Sequence, residues 1–249
     1  MREEKPMRVQ KVIADRGIAS RRQAETMIAE GRVSVNGTVI GLGDKCLPGK
    51  DLIEVDGNPL SRRSPRKIVV AMNKPKGYVC TNADRHQQRT VFDLLPADLH
   101  KERLFCVGRL DKDSEGLLLL TNDGDLQQQL AHPSYGVVKK YQVEIDKPLQ
   151  AADVAKLRRG ITWEGERLCV EQVHPLKSRT TDNWKKLEIV MHHGKKREIR
   201  RLLYAFGYEV RKLKRVQIGQ FRLKGIPAGH IQSLGKRQVQ LLFAAPGED

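Results

Sequence analysis

Residues 108–124 read GRLDKDSEGLLLLTNDG, and the reading of this stretch decides the fold around it. The apolar run Leu104–Val107 leads into it, Leu117–Leu120 continues it, and Asn122-Asp-Gly124 closes it. Short apolar runs bounded by polar and glycine turn residues predict buried strands. Asp111, Asp113 and Glu115 therefore fall on a loop between two rigid elements, where chemistry-bearing side chains are commonly displayed. An EF-hand calcium loop needs a bidentate Glu at its twelfth position, and that place holds Asn122 behind four leucines. A two-carboxylate glycosidase is not specified either, because acids two apart on one loop say nothing of their separation across a sugar. Asp113 and Glu115 read as solvated turn residues. Asp111 differs, since Arg109 and Leu110 tie it directly to the strand end.

Composition narrows the class further. The 249 residues carry a formal charge of +16, distributed as +4 over residues 1–66, +3 over 67–190 and +9 over 191–249. A basic excess concentrated in one segment suggests a polyanion track. Cys46, Cys80, Cys106 and Cys169 are scattered without CxxC spacing, which suggests neither zinc nor a disulfide framework. No apolar run is long enough to span a bilayer, and the charged N-terminus has no signal-peptide core, so a cytoplasmic protein is expected.

Working outward, residues 1–7 read as a tail. Val9, Val12 and Ile13 share a helical face that Gly17 ends. Ser20 and Gln23 make a capping box for a second helix, whose inward face is Ala24, Met27 and Ile28. Asn36-Gly37 supplies a type I′ turn between Val33–Val35 and Thr38–Ile40. A second hairpin turns at Asp56-Gly57, after Ile53–Val55. Ser61–Arg66 reads as a linker, dividing a domain of residues 1–63 from one of 64–249.

Beyond the linker come a strand at Ile68–Met72, the segment Asn73-Lys-Pro-Lys-Gly77 and a short helical piece at Thr90–Leu95. After the central stretch, a helix is predicted at Asp125–Ala131, a strand at Lys139–Ile145 and a helix at Ala151–Arg159. Two further strands are expected at Arg167–His174 and Leu187–His192. His192 and His193 have neither zincin spacing nor a nearby Cys pair and read as turn residues. In Gly194–Gly207, Ile199, Leu202, Leu203 and Phe206 form a buried stripe. Arg197 and Arg201 then point outward, as phosphate contacts would, and Arg200 lies at the stripe's edge. Val210–Leu223 carries the closing strand, Ser233-Leu234 ends the fold, and residues after about 244 read as a tail.

Gly108-Arg-Leu-Asp111, Ser114-x-Gly116-Leu-Leu and Thr121-Asn-Asp-Gly124 together resemble the signature of the RsuA/RluB-type ribosomal RNA pseudouridine synthases. Lys139-x-Tyr141-x-Val143 is similar to the second motif of that family, and Asn73–Gly77 to a segment near the start of its fold. Two short helices leading into a hairpin, with Arg21, Arg22 and Arg32 at the junction, resemble the S4 RNA-binding domain. The resemblance covers residues 8–240. It implies an α+β chain: a small N-terminal S4 domain, then a synthase domain with a mixed, mostly antiparallel sheet and flanking helices.

Residue by residue, the resemblance assigns the catalytic carboxylate to Asp111 and the active-site tyrosine to Tyr141. The basic partner of the carboxylate falls on Arg200, or one turn earlier on Lys196. Leu213 falls where the family packs a leucine against the tyrosine. Arg109, Arg21, Arg22, Arg32, Arg197 and Arg201 are the expected RNA contacts. No metal and no cofactor are implied, and the expected partner is ribosomal RNA or a ribosomal precursor particle, met by a monomer away from any membrane.

The implied reaction is uridine to pseudouridine in large-subunit (23S) RNA near the peptidyl transferase centre, as in RluB. Small-subunit (16S) RNA, the target in RsuA, is the alternative. A non-catalytic ribosome-assembly factor would be expected to lose Asp111 or Tyr141, and both are present. An aspartate-dependent phosphohydrolase would need an unbroken apolar strand before its first Asp, and Gly108-Arg109 interrupts it.

Overall fold

The computed structural model describes residues 5–61, 63–81, 88–177 and 182–244. Its contacts fall into two compact units, residues 1–67 with 122–124, and residues 68–121 with 125–249.

In the first unit, β1 (Met7–Arg8) precedes α1 (Val9–Asp15) and α2 (Arg21–Ala29). Five short strands follow: β2 (Val33–Val35), β3 (Thr38–Val39), β4 (Lys45–Cys46), β5 (Ile53–Val55) and β6 (Asn58–Pro59). The capping box forms as expected: Gln23 N–H donates to Ser20 Oγ at 3.2 Å and Ser20 N–H to Gln23 Oε1 at 3.0 Å. Such a cap is worth about 1 kcal/mol. Asn36 and Gly37 both take positive φ, 52° and 80°, and join β2 to β3. Val9, Val12, Ile13, Ala24, Ile28 and Val33 pack into one core with Ile53 and Val55. The expected tail is shorter than residues 1–7, because Met7 and Arg8 pair with Cys46 and Lys45. Residues 1–4 and 245–249, where tails were expected, and Arg62 in the linker lie outside the described residues.

The second unit begins with β7 (Val69–Lys74), β8 (Phe105–Val107) and β9 (Glu115–Thr121). Then come α3 (Gly124–Ala131), β10 (Lys139–Ile145), α4 (Ala151–Arg159), β11 (Ile161–Trp163), β12 (Glu166–Leu168), β13 (Gln172–Lys177) and β14 (Asp182–Met191). The chain ends with α5 (Glu198–Ala205), β15 (Val210–Ile218), β16 (Phe221–Arg222), β17 (Ile231–Ser233) and α6 (Lys236–Leu241). One mixed sheet runs β13-β14-β10-β15-β9-β7-β17, with β16 on β15 and β8 on β9. Among these pairs only β9 and β15 are parallel.

Both faces of the central strands are covered, which is why their sequences run apolar without alternation. Val70, Met72, Leu118 and Leu120 enter one core with Tyr141, Val143, Leu202 and Leu203. Val69, Ala71, Leu117 and Leu119 enter another, with Leu126 and Leu130 of α3 and Leu242 after α6.

Two predictions are corrected and one element is added. The single strand expected at Arg167–His174 is two, β12 and β13, interrupted at Cys169–Glu171. An unforeseen β11–β12 hairpin turns at Glu164-Gly165, both with positive φ (49° and 76°). The fold also continues past Ser233-Leu234 into α6, whose end buries Leu242 completely.

Candidate active site

The loop between β8 and β9 is held in place by main-chain contacts. Lys74, at the end of β7, has no exposed surface, and its ammonium donates to the carbonyls of Ser114 (2.7 Å), Asp111 (3.0 Å) and Pro75 (3.2 Å). Lys112 O, at 3.5 Å, is a fourth and longer acceptor, and together these carbonyls engage the ammonium's donors and offset its burial. Burial lowers the Lys74 pKa, opposed by the charges of Cys80, Asp111, Asp113 and Glu115. Gly77 N–H donates to Lys112 O at 2.8 Å, and Leu110 N–H points at Cys80 Sγ at 3.5 Å. The Cys80 pKa is lowered chiefly by the hydrogen bond from Cys106, against its own burial. The Asn-Lys-Pro-Lys-Gly segment is thus the clamp on the acidic loop.

Above this clamp lies a cavity of about 170 Å³ whose wall includes Asp111, Ser114, Lys139, Tyr141, Leu213 and Arg215. Residues two apart on a strand share a face, so Lys139 and Tyr141 of β10 and Leu213 and Arg215 of β15 reach it together. Tyr141 lies opposite Arg215 in the strand register. Asp111 is half-buried, and its carboxylate makes no hydrogen bond or ion pair among the described residues. Ser114 Oγ and Arg215 Nη2 are buried without a hydrogen-bond partner among those residues. Unsatisfied buried polar atoms are uncommon in native proteins, and with Glu198 Oε1 three among the described residues belong to one cavity wall.

The expected partner of Asp111 is placed elsewhere. Arg200 Nη2 lies 3.3 Å from Asp113 Oδ2 and donates to Asp113 O at 3.2 Å, while Nη1 donates to Val210 O at 3.0 Å. Arg197 joins it, with Nη1 at 3.0 Å from Asp113 Oδ1. Burial would raise the Asp113 pKa, yet the hydrogen bond from Arg197 and the charges of Arg200 and Arg197 hold it below the usual carboxylate range. Burial lowers the Arg200 pKa, and the charge of Asp113 opposes that. Neither Asp113 nor Glu115 is a plain solvated turn residue, since Glu115 Oε1 lies 3.2 Å from Lys212 Nζ.

Several expected RNA contacts are occupied by partners within the chain. Arg201 meets Glu166 at 2.6 Å and Glu164 at 3.4 Å on the unforeseen hairpin. Arg32 meets Asp56 at 2.7 Å and Glu30 at 2.9 Å, which raises its pKa. Arg21, Arg22 and Arg109 are exposed. Arg197 takes a left-handed backbone at φ 52°, a conformation that costs a non-glycine residue roughly 1 kcal/mol or more. Lys196 lines the cavity together with Arg197, whereas Arg200 does not.

Two residues that the sequence reading passed over complete the wall. Lys139 donates to the carbonyls of Val137 and His192, each at 3.2 Å; burial and then the charge of Arg215 lower its pKa to about 8. Arg215 is only 4% exposed, and its Nε donates to Leu117 O at 2.7 Å. The signal that would have found both is strand parity with Tyr141 and Leu213.

Comparison with known proteins gives consistent likenesses. Residues 68–205 match the RNA pseudouridylate synthase family, and residues 7–52 match the S4 domain. An "Uncharacterized RNA pseudouridine synthase" of Aquifex aeolicus is 36% identical over 242 residues, covering 97% of this chain and 95% of its own length. The "Ribosomal large subunit pseudouridine synthase B" of Bacillus subtilis is 36% identical over 238 residues, covering 95% and 96%. A solved structure described as "Crystal structure of pseudouridylate synthase" aligns with a TM-score of 0.68 at 26% identity, covering 95% of this chain and 99% of that one.

Proposed function

The chain belongs to the RNA pseudouridylate synthase family, with an S4 domain ahead of the synthase domain, and from that premise we propose that Asp111 initiates the conversion of one uridine to pseudouridine in large-subunit ribosomal RNA. The observation that carries this reading is the convergence of Asp111, Tyr141 and Leu213 on one cavity. The large-subunit target is supported by the name of the Bacillus subtilis relative. A position near the peptidyl transferase centre is the finer proposal.

Uracil must detach at N1, turn, and rejoin the sugar through C5. A stacked base presents the wrong edge, so the nucleotide is flipped out, at a cost of about a few kcal/mol. Asp111, on its clamped loop, either attacks the nucleoside or deprotonates it. Arg200, the basic residue that the resemblance assigned, grips Asp113 two positions on and so steadies the loop that carries Asp111. Tyr141 lies against the base and assists loss of the C5 proton. The conversion is an isomerisation without change of oxidation state, and these roles call for no cofactor. The S4 unit, through Arg21 and Arg22, adds affinity for the surrounding RNA, which the chain meets as a cytoplasmic monomer.

Mapping pseudouridines in ribosomal RNA from a strain lacking this protein tests the proposal. Loss of one large-subunit pseudouridine supports it, and loss of a small-subunit one moves the target. An unchanged map removes the reading.

A further inference from the structure

We propose that Arg215 is a further catalytic residue: its guanidinium, with the Lys139 ammonium beside it, forms a cationic floor that carries the charge gathering on the base as uracil leaves the sugar. The inference rests on the uridine-to-pseudouridine reading. Heterolysis of the C1′–N1 bond sends both electrons to the base and leaves a uracil anion, with its charge spread over the ring nitrogens and the two oxygens. After the base turns, C5 bonds to C1′, the C5 proton departs and N1 gains one, so product and substrate have the same formula. Fixed cations aimed at developing charge in a water-poor site lower such a barrier without having to reorganise.

The geometry singles out Arg215. Among the described residues its guanidinium holds the fold through Nε alone, by the 2.7 Å bond to Leu117 O. Nη2 is buried and unpaired, and no carboxylate forms an ion pair with Arg215 among the described residues. A buried guanidinium without a counter-ion is costly, and that cost is intelligible in a pocket that receives a transient anion. With 4% exposure, Arg215 lies beneath a base rather than along a phosphate backbone. Its position is enforced by Gly116 of the central motif, where a Cβ would sit 2.2 Å from Arg215 O.

Lys139 enters the same cavity two residues before Tyr141. The charged or titratable groups that share its cavity are Arg215 on β15, Tyr141 on its own strand, Arg109 and Asp111 on the clamped loop, and Lys195, Lys196, Arg197 and Glu198 at the start of α5. With a pKa lowered to about 8, Lys139 is mostly charged at neutral pH and becomes neutral in mild alkali.

The test uses the full chain and an in vitro 23S RNA transcript carrying either uridine or 5-fluorouridine. Fluorine at C5 makes uracil a better leaving group, so it substitutes for help given to the departing base. Arg215→Met is expected to slow single-turnover loss of N-linked uridine about 100-fold while RNA affinity stays within about threefold. On fluorouridine the same defect is expected to shrink by about tenfold or more. Equal defects on both substrates, or a fall in affinity that matches the fall in rate, overturn the inference. If circular dichroism shows Arg215→Met unfolded, Arg215→Lys, which keeps a charge but lacks Nη2, is judged by the same comparison. A wild-type chain that converts no uridine ends both readings; one that does, beside a fully active variant, ends this one alone.

Discussion

The buried ammonium of Lys74 holds the main-chain oxygen of Asp111 at 3.0 Å, so the loop that carries the carboxylate is held by a residue whose side-chain hydrogen bonds, among the described residues, all go to backbone. Lys74→Met would leave the carbonyls of Ser114, Asp111 and Pro75 without this donor. Stability should fall by on the order of 3 kcal/mol. Turnover should drop further than RNA affinity, because the loop and not the RNA surface is released. Thermal melts beside single-turnover rates check this; an unperturbed melt would show that Lys74 does not clamp the loop.

Asp111→Asn keeps the size of the side chain and removes its charge. Pseudouridine formation should fall below detection while RNA affinity stays within about threefold, as for a group that acts mainly in the transition state. Filter binding and a pseudouridine-specific primer-extension assay give the two readings. Full activity in the variant would falsify the role.

Lys139 supplies the pH dependence. Its folded pKa of about 8 lies below the roughly 10.4 of an unfolded lysine, so between these values the unfolded chain binds more protons. Stability from this group therefore rises with pH over that window, and the full burial cost is present below pH 8. Relative to Lys139→Met, the wild type should gain on the order of 3 kcal/mol between pH 7 and pH 10. Denaturant unfolding of both proteins at the two pH values measures the difference, and parallel curves would contradict it.

Arg21→Ala combined with Arg22→Ala should weaken RNA binding and flatten its salt dependence. Removing one phosphate contact lowers the steepness of log K against log salt by about 0.7–0.9. A slope identical to the wild type would take this helix N-terminus out of the RNA surface.

How much was legible follows from the range of each interaction. The Ser20–Gln23 cap, the Asn36-Gly37 turn and the β8–loop–β9 arrangement depend on residues a few positions apart, and the sequence displays them directly. The partners of Arg200, Arg197 and Arg201 do not, since Asp113 and the acids of β11–β12 lie tens of residues away and nothing local selects them. Lys74 was missed for another reason. Its acceptors are carbonyls, which every residue possesses, so a buried lysine leaves no mark in the pattern of side chains. Arg215 was readable by strand parity and was passed over among the neighbouring basic residues.

The parallel contact between β9 and β15 joins the two halves of the sheet through only two register pairs, Lys214 with Glu115 and Arg215 with Gly116. β7, β8 and β9 pair within about fifty residues, and β10, β13, β14 and β15 within about eighty. This seam, like the β7–β17 pairing, links positions about a hundred or more residues apart and belongs with the slow, entropically expensive closures. A nascent chain with the seam still open lacks the cavity that Asp111 and Arg215 line together, whatever its secondary structure. Maturation of the protein and its competence as a catalyst therefore arrive in one event, and a half-docked molecule can hold RNA without altering it.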